Sequence, residues 1–94
     1  MRVIDLLEFL KDIQKNEMIF ANLEKEDYAI ELVEKRDDKI FCQLTKNKKS
    51  LKNWELLLLL NKKDQLDLPV FVEKDKKNHQ IFGMRLGEQK IVLY

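Results

Sequence analysis

An unbroken run of five leucines, 56–60, follows Trp54 and constrains how the middle of this 94-residue chain can fold. At about 100° per residue, a helix here would gather one broad apolar arc made of Leu51, Trp54, Leu57, Leu58 and Leu60. Leu56 and Leu59 would then lie on the opposite side, among charged residues. A helix packed on one sheet would bury only the first group. The pattern therefore predicts either a helix sunk deeply in its own core, or one whose Leu56 and Leu59 contact a partner or a second copy.

The composition is that of one small domain in a reducing compartment. Hydrophobic residues make up 45% of the chain, and 18 Lys and Arg nearly balance 17 Asp and Glu, for a net charge of +1. That balance provides no long-range field to attract nucleic acid or an anionic membrane. The single cysteine, Cys42, excludes an internal disulfide and favours the cytoplasm. Neither a signal peptide nor an apolar run of about 20 residues, as a membrane-spanning helix needs, is recognisable.

Periodicity predicts two helices and six strands. The first helix covers about 2–15, and three strands follow at about 17–23, 28–35 and 39–45. After the basic stretch 46–52, a second helix runs to about residue 63, with Ser50 or Asn53 as its N-cap. The last three strands are expected at 70–73, 79–86 and 89–94.

The second half of the chain repeats the first at a spacing of 51 residues. Five identical pairs share that spacing: Phe20 and Phe71, Lys25 and Lys76, Ile30 and Ile81, Lys39 and Lys90, and Ile40 and Ile91. We therefore predict an α+β fold of two tandem αβββ units in one compact domain. The units are 1–45 and 53–94, joined by the basic linker 46–52, each with one helix and antiparallel strands.

The two halves differ in how apolar their strands are. Phe82, Met84 and Leu86 alternate along the predicted fifth strand, where the first half has Glu31, Val33 and Lys35. One face of the second sheet can cover its helix, so the other needs the first unit or a partner. The apolar terminal strand, which ends at Tyr94, adds to this surplus.

Residues that could carry chemistry are few. His79 is the only histidine and is expected to be solvated or half-buried at a strand start, while Cys42 lies on the predicted core face. A nucleophile pair of these two would need an exposed thiol. The chain lacks the spacing of zinc or calcium ligands and has too few glycines for a phosphate-binding loop. We expect neither enzymatic activity nor a cofactor or metal.

Four segments resemble a pattern found in small phage and prophage proteins of unassigned function: 54–57, 67–72, 81–84 and 90–93. The opening 1–7 resembles the common start of such proteins. The resemblance implies a mobile-element origin and a role in binding host or competitor machinery. It supplies no catalytic residues.

The expected function is that of a small non-enzymatic interaction protein, such as a phage-encoded inhibitor or accessory factor. Its partner would be another protein or a second copy of the chain. The candidate contacts are Leu56 and Leu59 on the helix and Phe82, Met84 and Tyr94 on the second sheet. The alternative is a nucleic-acid-binding accessory protein that uses Lys46, Lys48, Lys49 and Lys52, although no aromatic ladder accompanies these lysines.

Overall fold

The computed structural model describes residues 1–47 and 49–94, and the predicted phosphate contact Lys48 lies outside the described residues. Helix α1 spans Val3–Leu10 and helix α2 spans Asn53–Leu60, followed by a 3-10 turn at Lys63–Gln65. The strands are β1 Met18–Leu23, β2 Glu26–Arg36, β3 Lys39–Thr45, β4 Val70–Lys74, β5 Lys77–Gln80, β6 Met84–Gly87 and β7 Lys90–Leu93. Both helices are shorter than predicted.

The strands of the described residues form one sheet in the order β5-β4-β3-β2-β1-β7-β6. Hairpin neighbours pair antiparallel, as predicted. The pairings that join the two halves, β3 with β4 and β1 with β7, are parallel, and the sequence made no prediction for them. Hairpin spacing in a sequence reveals pairing only between consecutive strands, whereas a parallel pair needs a long crossover.

The sheet is curled, because its two edge strands follow one another in the sequence. β5 and β6 are the edge strands, yet only Ile81, Phe82 and Gly83 separate them. Seven flat strands about 4.8 Å apart would place these edges about 29 Å from each other. The four-residue step from Gln80 to Met84 reaches at most about 14 Å. The sheet must therefore bend round on itself, and the predicted fifth strand, 79–86, is interrupted at 81–83.

A single buried cluster joins one face of the curled sheet to both helices. It contains Val3, Leu6 and Leu10 of α1, Leu56 and Leu60 of α2, and inward-facing residues of the strands such as Ile19, Ile30, Ile40, Val70 and Ile91. The mixed α+β content and the compact single domain are thus as expected.

Helix α2 is rotated relative to its predicted orientation. It buries Asn53, Leu56 and Leu60, and Leu56 is 0% exposed. Trp54 and Leu58, both predicted to lie in the core, are 46% and 68% exposed. The prediction that Leu56 lies on the polar side of α2 is therefore wrong. Leu56 is a core residue and is not available to a partner. Because five consecutive leucines offer apolar contacts on every side, hydrophobicity alone does not select the buried face.

The buried amide of Asn53 selects that face. Its Nδ2 donates hydrogen bonds of 3.0 Å to the carbonyls of Leu10 and Ile13, at and just beyond the end of α1. Carbonyls at a helix C-terminus lack intrahelical donors, and leaving them buried and unpaired would be costly. Asn53 thus caps α1 and does not cap its own helix, whose N-cap is Lys52.

Ser50, the other predicted cap, instead joins β1 to β2. Its hydroxyl accepts a 2.7 Å hydrogen bond from the Ile30 N–H and donates to the Ile19 carbonyl. Ile30 pairs with Leu44 of β3, and the last pair that β1 makes with β2 on this side is Phe20 with Ala29. The buried hydroxyl supplies the partner for the Ile30 N–H that β1 no longer provides.

Two-residue turns of the hairpins hold charged residues in the left-handed region. Glu24 and Lys25 have φ values of 50° and 70°, and Asp75 and Lys76 have values of 52° and 65°. Turns with two positive φ values match the twist of the flanking strands and favour Asn-Gly. Each non-glycine residue in this region costs roughly 1–2 kcal/mol.

We predict that Lys25→Gly stabilises the protein by roughly 0.5–1 kcal/mol, because relief of the left-handed conformation exceeds the entropy that glycine adds to the unfolded chain. Urea denaturation monitored by circular dichroism would measure the change. Lys35→Gly, at the penultimate position of β2, is the control and should destabilise by roughly 0.5–1 kcal/mol. Equal destabilisation by both variants would contradict the prediction.

We predict that Asn53→Ala destabilises the protein by about 2 kcal/mol, since the Ile13 carbonyl loses its donor and the Leu10 carbonyl keeps only the Ile13 N–H. The free energy of unfolding in urea is the measurement. Leu58→Ala, on the exposed side of the same helix, should change it by less than about 0.5 kcal/mol. A neutral Asn53→Ala would show that the amide does not determine the orientation of α2.

Candidate functional site

The interruption between β5 and β6 leaves an opening in the curled sheet, with a cavity of ≈ 420 Å³. Its rims are Asn22–Glu24, where β1 ends, and Asn78–Gln80 on β5. The floor consists of four buried apolar residues: Ala21, Val72, Ile81 and Leu93. Phe82 and Tyr94 complete the lining and are exposed. We call this cavity and its lining the edge cleft.

A β-bulge positions the two aromatic residues of the edge cleft. The N–H groups of Phe82 and Gly83 both donate to the Tyr94 carbonyl, at 2.6 and 3.2 Å, and the Tyr94 N–H donates to the Gly83 carbonyl at 3.0 Å. Two donors on one carbonyl leave one residue out of the ladder. That residue is Phe82, whose side chain is 77% exposed.

Gly83 lets the Tyr94 ring approach the backbone. A Cβ at this position would lie 2.9 Å from the tyrosine Oη, closer than a side chain allows. The glycine therefore keeps the Tyr94 ring at one side of the edge cleft.

Both rims offer backbone groups as well as side chains. In the two-residue β4–β5 hairpin, Lys74 and Lys77 flank the turn, and the pair that flanks such a turn is hydrogen-bonded. Alternation along an antiparallel ladder then directs the N–H and C=O groups of Asn78 and Gln80 away from β4. On the other rim, the pairing of β1 with β7 stops at Ala21 and Leu93, so the Asn22 carbonyl is next along that edge. In the part of the chain that the structure describes, no strand pairs with these groups.

The structure distributes the predicted partner contacts over different environments. Phe82 and Tyr94 lie together at the edge cleft. Met84 is half-buried and packs against the core, and the Leu59 side chain on α2 is 36% exposed. Leu86 on β6, not among the predicted contacts, is 72% exposed. In the sequence, the alternation of Leu86 with Phe82 and Met84 was the pattern that could have predicted this exposure.

A second apolar surface lies on α2 and was missed because the helix was predicted in another orientation. Trp54, Leu57 and Leu58 line a shallow cavity of ≈ 300 Å³ together with Lys15 and Asn61. If Asn53 points inward, Trp54 and Leu58, one and five positions later, point outward. That orientation of Asn53 would therefore have identified the second apolar surface.

The reactive residue types are placed unfavourably for nucleophilic chemistry. Cys42 is fully buried, and this burial raises the pKa of its thiol to about 12. A thiol in that state is neither ionised nor accessible near neutral pH. His79 is half-buried on β5, opposite Val72. Within residues 1–47 and 49–94, no group of three or more His, Cys, Asp or Glu side chains could hold a metal ion.

No helix within residues 1–47 and 49–94 has the length and apolarity to cross a membrane.

The described lysines of the predicted phosphate-binding linker differ in accessibility. Lys46 and Lys49 are exposed, while Lys52 is half-buried at the start of α2. Lys46 also contributes, after the neighbouring Lys74, to a lowered pKa of the Asp75 carboxyl. Part of the linker charge is therefore balanced by the β4–β5 turn.

The outer face of the sheet carries a polar network between β2, β3 and β4. The Glu73 carboxylate accepts hydrogen bonds of 2.6 Å from the Gln43 amide and 2.7 Å from the Arg36 guanidinium. These bonds lower the pKa of Glu73 below its usual value. The Arg36 guanidinium also lies 4.2 Å from the centre of the Phe41 ring. This cluster reinforces the parallel β3–β4 pairing.

No known protein family matches this chain, and neither a curated protein nor a solved structure shows significant similarity to it. The site is therefore interpreted from its own geometry.

We predict that Glu73→Gln removes a pH-dependent part of the stability. Because the folded state favours the ionised carboxylate, this stabilisation is fully present above the pKa of an unfolded glutamate, about 4.3, and is lost as pH falls through the lower folded-state pKa. The urea midpoints of wild type and variant should differ at pH 7, and the difference should shrink as the pH is lowered through the folded-state pKa of Glu73. Glu88→Gln, on the exposed β6–β7 turn, is the control. A constant difference between wild type and Glu73→Gln across this pH range would contradict the assignment.

Proposed function

We propose that this protein is a small non-enzymatic interaction module that binds another protein through the edge cleft and the apolar residues beside it. The observation that carries the proposal is the exposure of Phe82, Leu86 and Tyr94, at 77%, 72% and 50%, along one interrupted edge of the sheet. Single exposed apolar residues are ordinary on protein surfaces, whereas a group of them beside a cavity is typical of an interaction site.

The edge strands strengthen this interpretation. Sheet edges offer unpaired backbone groups, and soluble proteins usually protect them with charges, prolines or covering segments. In β6, Arg85 is the one charged residue, and its guanidinium lies 4.0 Å from Asp27, which is also bound by Lys90. An apolar edge with so little charge suits the addition of a strand from another chain.

We also propose that the chain consists of two αβββ units related by a pseudo-twofold axis. Left-handed residues recur at the 51-residue spacing seen in the sequence: Glu24 and Asp75, Lys25 and Lys76, and Asp38 and Gln89. The order of buried and exposed residues is the same along α1 and α2. On this proposal, β5, residues 81–83 and β6 together correspond to the continuous strand β2.

Reciprocal contacts between the halves support the same arrangement. An isolated bridge joins Arg2 to Pro69, and another joins Lys52 to Met18. Each connects the start of one helix to the beginning of the first strand of the other half. A twofold relation produces such exchanged contacts, because residue i of one unit meets residue j of the other and the reverse.

The resemblance of the second half to small phage and prophage proteins leads us to propose an inhibitor or accessory role for this binding. The edge cleft would then contact a host or competitor protein. Neither role requires chemistry from His79 or Cys42.

We predict that the double variant Phe82→Ser, Leu86→Lys loses its partner while remaining folded, because both side chains are exposed. The tagged protein would be used to capture partners from a lysate of its natural host, with and without nuclease, and binding of the captured protein should fall at least about 10-fold. Thermal denaturation would check the folding of each variant.

The matched control is the double variant Trp54→Gln, Leu58→Lys on the α2 surface, which should bind normally. Loss of binding in this control alone would move the site to α2. Loss of capture after nuclease treatment would instead support the basic linker, and size-exclusion chromatography would identify a second copy of the chain as the partner.

A further inference from the structure

The apolar surface of α2 has a counterpart on α1, because the order of buried and exposed residues is the same along the two helices at a spacing of 50 residues. Four residues of α2 and its C-cap line the surface: Trp54, Leu57, Leu58 and Asn61. Their counterparts on α1 and its C-cap are Ile4, Leu7, Glu8 and Lys11. The two helices therefore show how the same face is built in two ways.

The face on α1 is completed by residues of the chain itself. The Glu8 carboxylate and the Lys11 ammonium form an ion pair with a distance of 2.8 Å. Beside them, the Leu66 carbonyl accepts a 3.0 Å hydrogen bond from the Ile4 N–H, and the Leu66 side chain packs against the core. A paired charge and a packed leucine suit a face that contacts only water.

The surface on α2 lacks both of these features. Leu58 is exposed where α1 has its glutamate, and Asn61 takes the place of the lysine. The Trp54 N–H donates to the Lys15 carbonyl at 3.2 Å, so Lys15 occupies the position that Leu66 has beside α1. The result is the shallow apolar cavity of ≈ 300 Å³, with a lysine in its wall.

Three lysines give this surface a positive rim. Lys15 lines the cavity, and Lys62 and Lys63 directly follow its last residue, Asn61. All three lysines are exposed. Within residues 1–47 and 49–94, none of them forms an ion pair with a carboxylate.

Carboxylates that are close to these lysines in the sequence are engaged elsewhere. Glu55 accepts the Lys52 N–H at 3.0 Å and so caps the start of α2. The Asp64 carboxylate lies 3.4 Å from the Lys35 ammonium. Glu17 lines a separate cavity. Exposed apolar side chains and free positive charges therefore occur together on this surface, which is complementary to an apolar surface that carries negative charge.

The geometry favours a protein partner over the other anionic ligands. The cavity is at the lower limit for a small-molecule site, about 300 Å³. A lipid surface would contact the protruding Trp54 and Leu58 but leave the half-buried Leu57 uncovered. One aromatic ring beside two leucines provides no stacking ladder for nucleic acid. A second copy that used the same surface would bring like charges together, since such a contact places each patch against itself.

We propose that the α2 surface binds an acidic amphipathic helix of a partner protein. Its apolar face packs on Trp54, Leu57 and Leu58, and carboxylates beside that face contact Lys15 and Lys62. Recognition uses side chains, because the α2 backbone is already hydrogen-bonded, and a helix presents apolar and acidic residues side by side at spacings of three and four. The α2 surface shares no lining residue with the edge cleft, so this binding goes beyond the function proposed above.

Fluorescence of Trp54, the only tryptophan of the chain, reports directly on this surface. The probe is a capped synthetic helical peptide without tryptophan, with leucines on one face and glutamates beside them. A matched peptide carries lysines in place of the glutamates. We expect the acidic peptide to shift the Trp54 emission saturably to shorter wavelength, because the ring leaves water. At low salt it should bind at least about 10-fold more tightly than the lysine peptide.

The preference for the acidic peptide should shrink in about 1 M salt, where exposed charges are screened. An acidic peptide that causes no saturable shift would overturn the proposal, and so would equal affinities of the two peptides at low salt.

Variants of exposed residues separate the charged contact from the apolar one. Lys15→Glu should bind the acidic peptide at least about 3-fold more weakly than wild type, whereas Lys76→Glu, a matched charge reversal on the β4–β5 turn, should bind it normally. Leu58→Ser keeps the tryptophan and should lose at least about 10-fold in affinity. Circular dichroism would check that each variant is folded. Equal weakening by Lys15→Glu and Lys76→Glu would show a nonspecific charge effect and overturn the assignment.

The other occupants have their own readouts. Anionic lipid vesicles or a single-stranded oligonucleotide that shift the Trp54 emission, when the acidic peptide does not, would overturn the proposal in favour of those ligands. An emission shift that depends on protein concentration alone would do so in favour of a second copy. The variant Phe82→Ser, Leu86→Lys should bind the acidic peptide like wild type, so failure at the α2 surface and failure at the edge cleft are distinguishable.

Discussion

The parallel pairings of β3 with β4 and of β1 with β7 hold the two halves of the protein in one sheet, and the other features depend on them. They bring β5 and β6 to opposite edges although only three residues separate these strands, so the sheet has to curl. Curling encloses one apolar face, and both helices cover it. The edge cleft lies where the sheet closes, between the end of β1 and the edge strand β5.

Buried polar groups determine the details within this frame. Asn53 caps the end of α1 and thereby orients α2, while Ser50 satisfies the Ile30 N–H where the pairing of β1 with β2 ends. In each case a hydrogen-bonding group displaced from water needs a partner, and meeting that need outweighs a modest gain from burying one leucine rather than another. The exposure of Trp54 and Leu58 is a consequence of this orientation of α2.

Two apolar surfaces result, and they differ in what they offer a partner. The α2 surface presents side chains on a helix whose backbone is already hydrogen-bonded. The edge cleft presents an apolar floor together with backbone donors and acceptors on both rims, so it can recognise both a side chain and an extended backbone. The buried thiol of Cys42 belongs to neither surface, whereas His79 lies on the rim of the edge cleft.

Local patterns in the sequence were sufficient to predict two helices, the hairpin strands and the mixed α+β class, because helical and strand periodicities are properties of neighbouring residues. The contrast between Phe82, Met84, Leu86 and their counterparts in the first half predicted surplus apolar surface there, and Phe82 and Leu86 are exposed. Tertiary structure decided the orientation of α2, the interruption at Ile81–Gly83 and the parallel pairings. Each depends on contacts between residues far apart in the chain: Asn53 with Leu10, Phe82 with Tyr94, and β1 with β7. Periodicity identifies which residues can be buried, but only these distant hydrogen bonds determine which of them are.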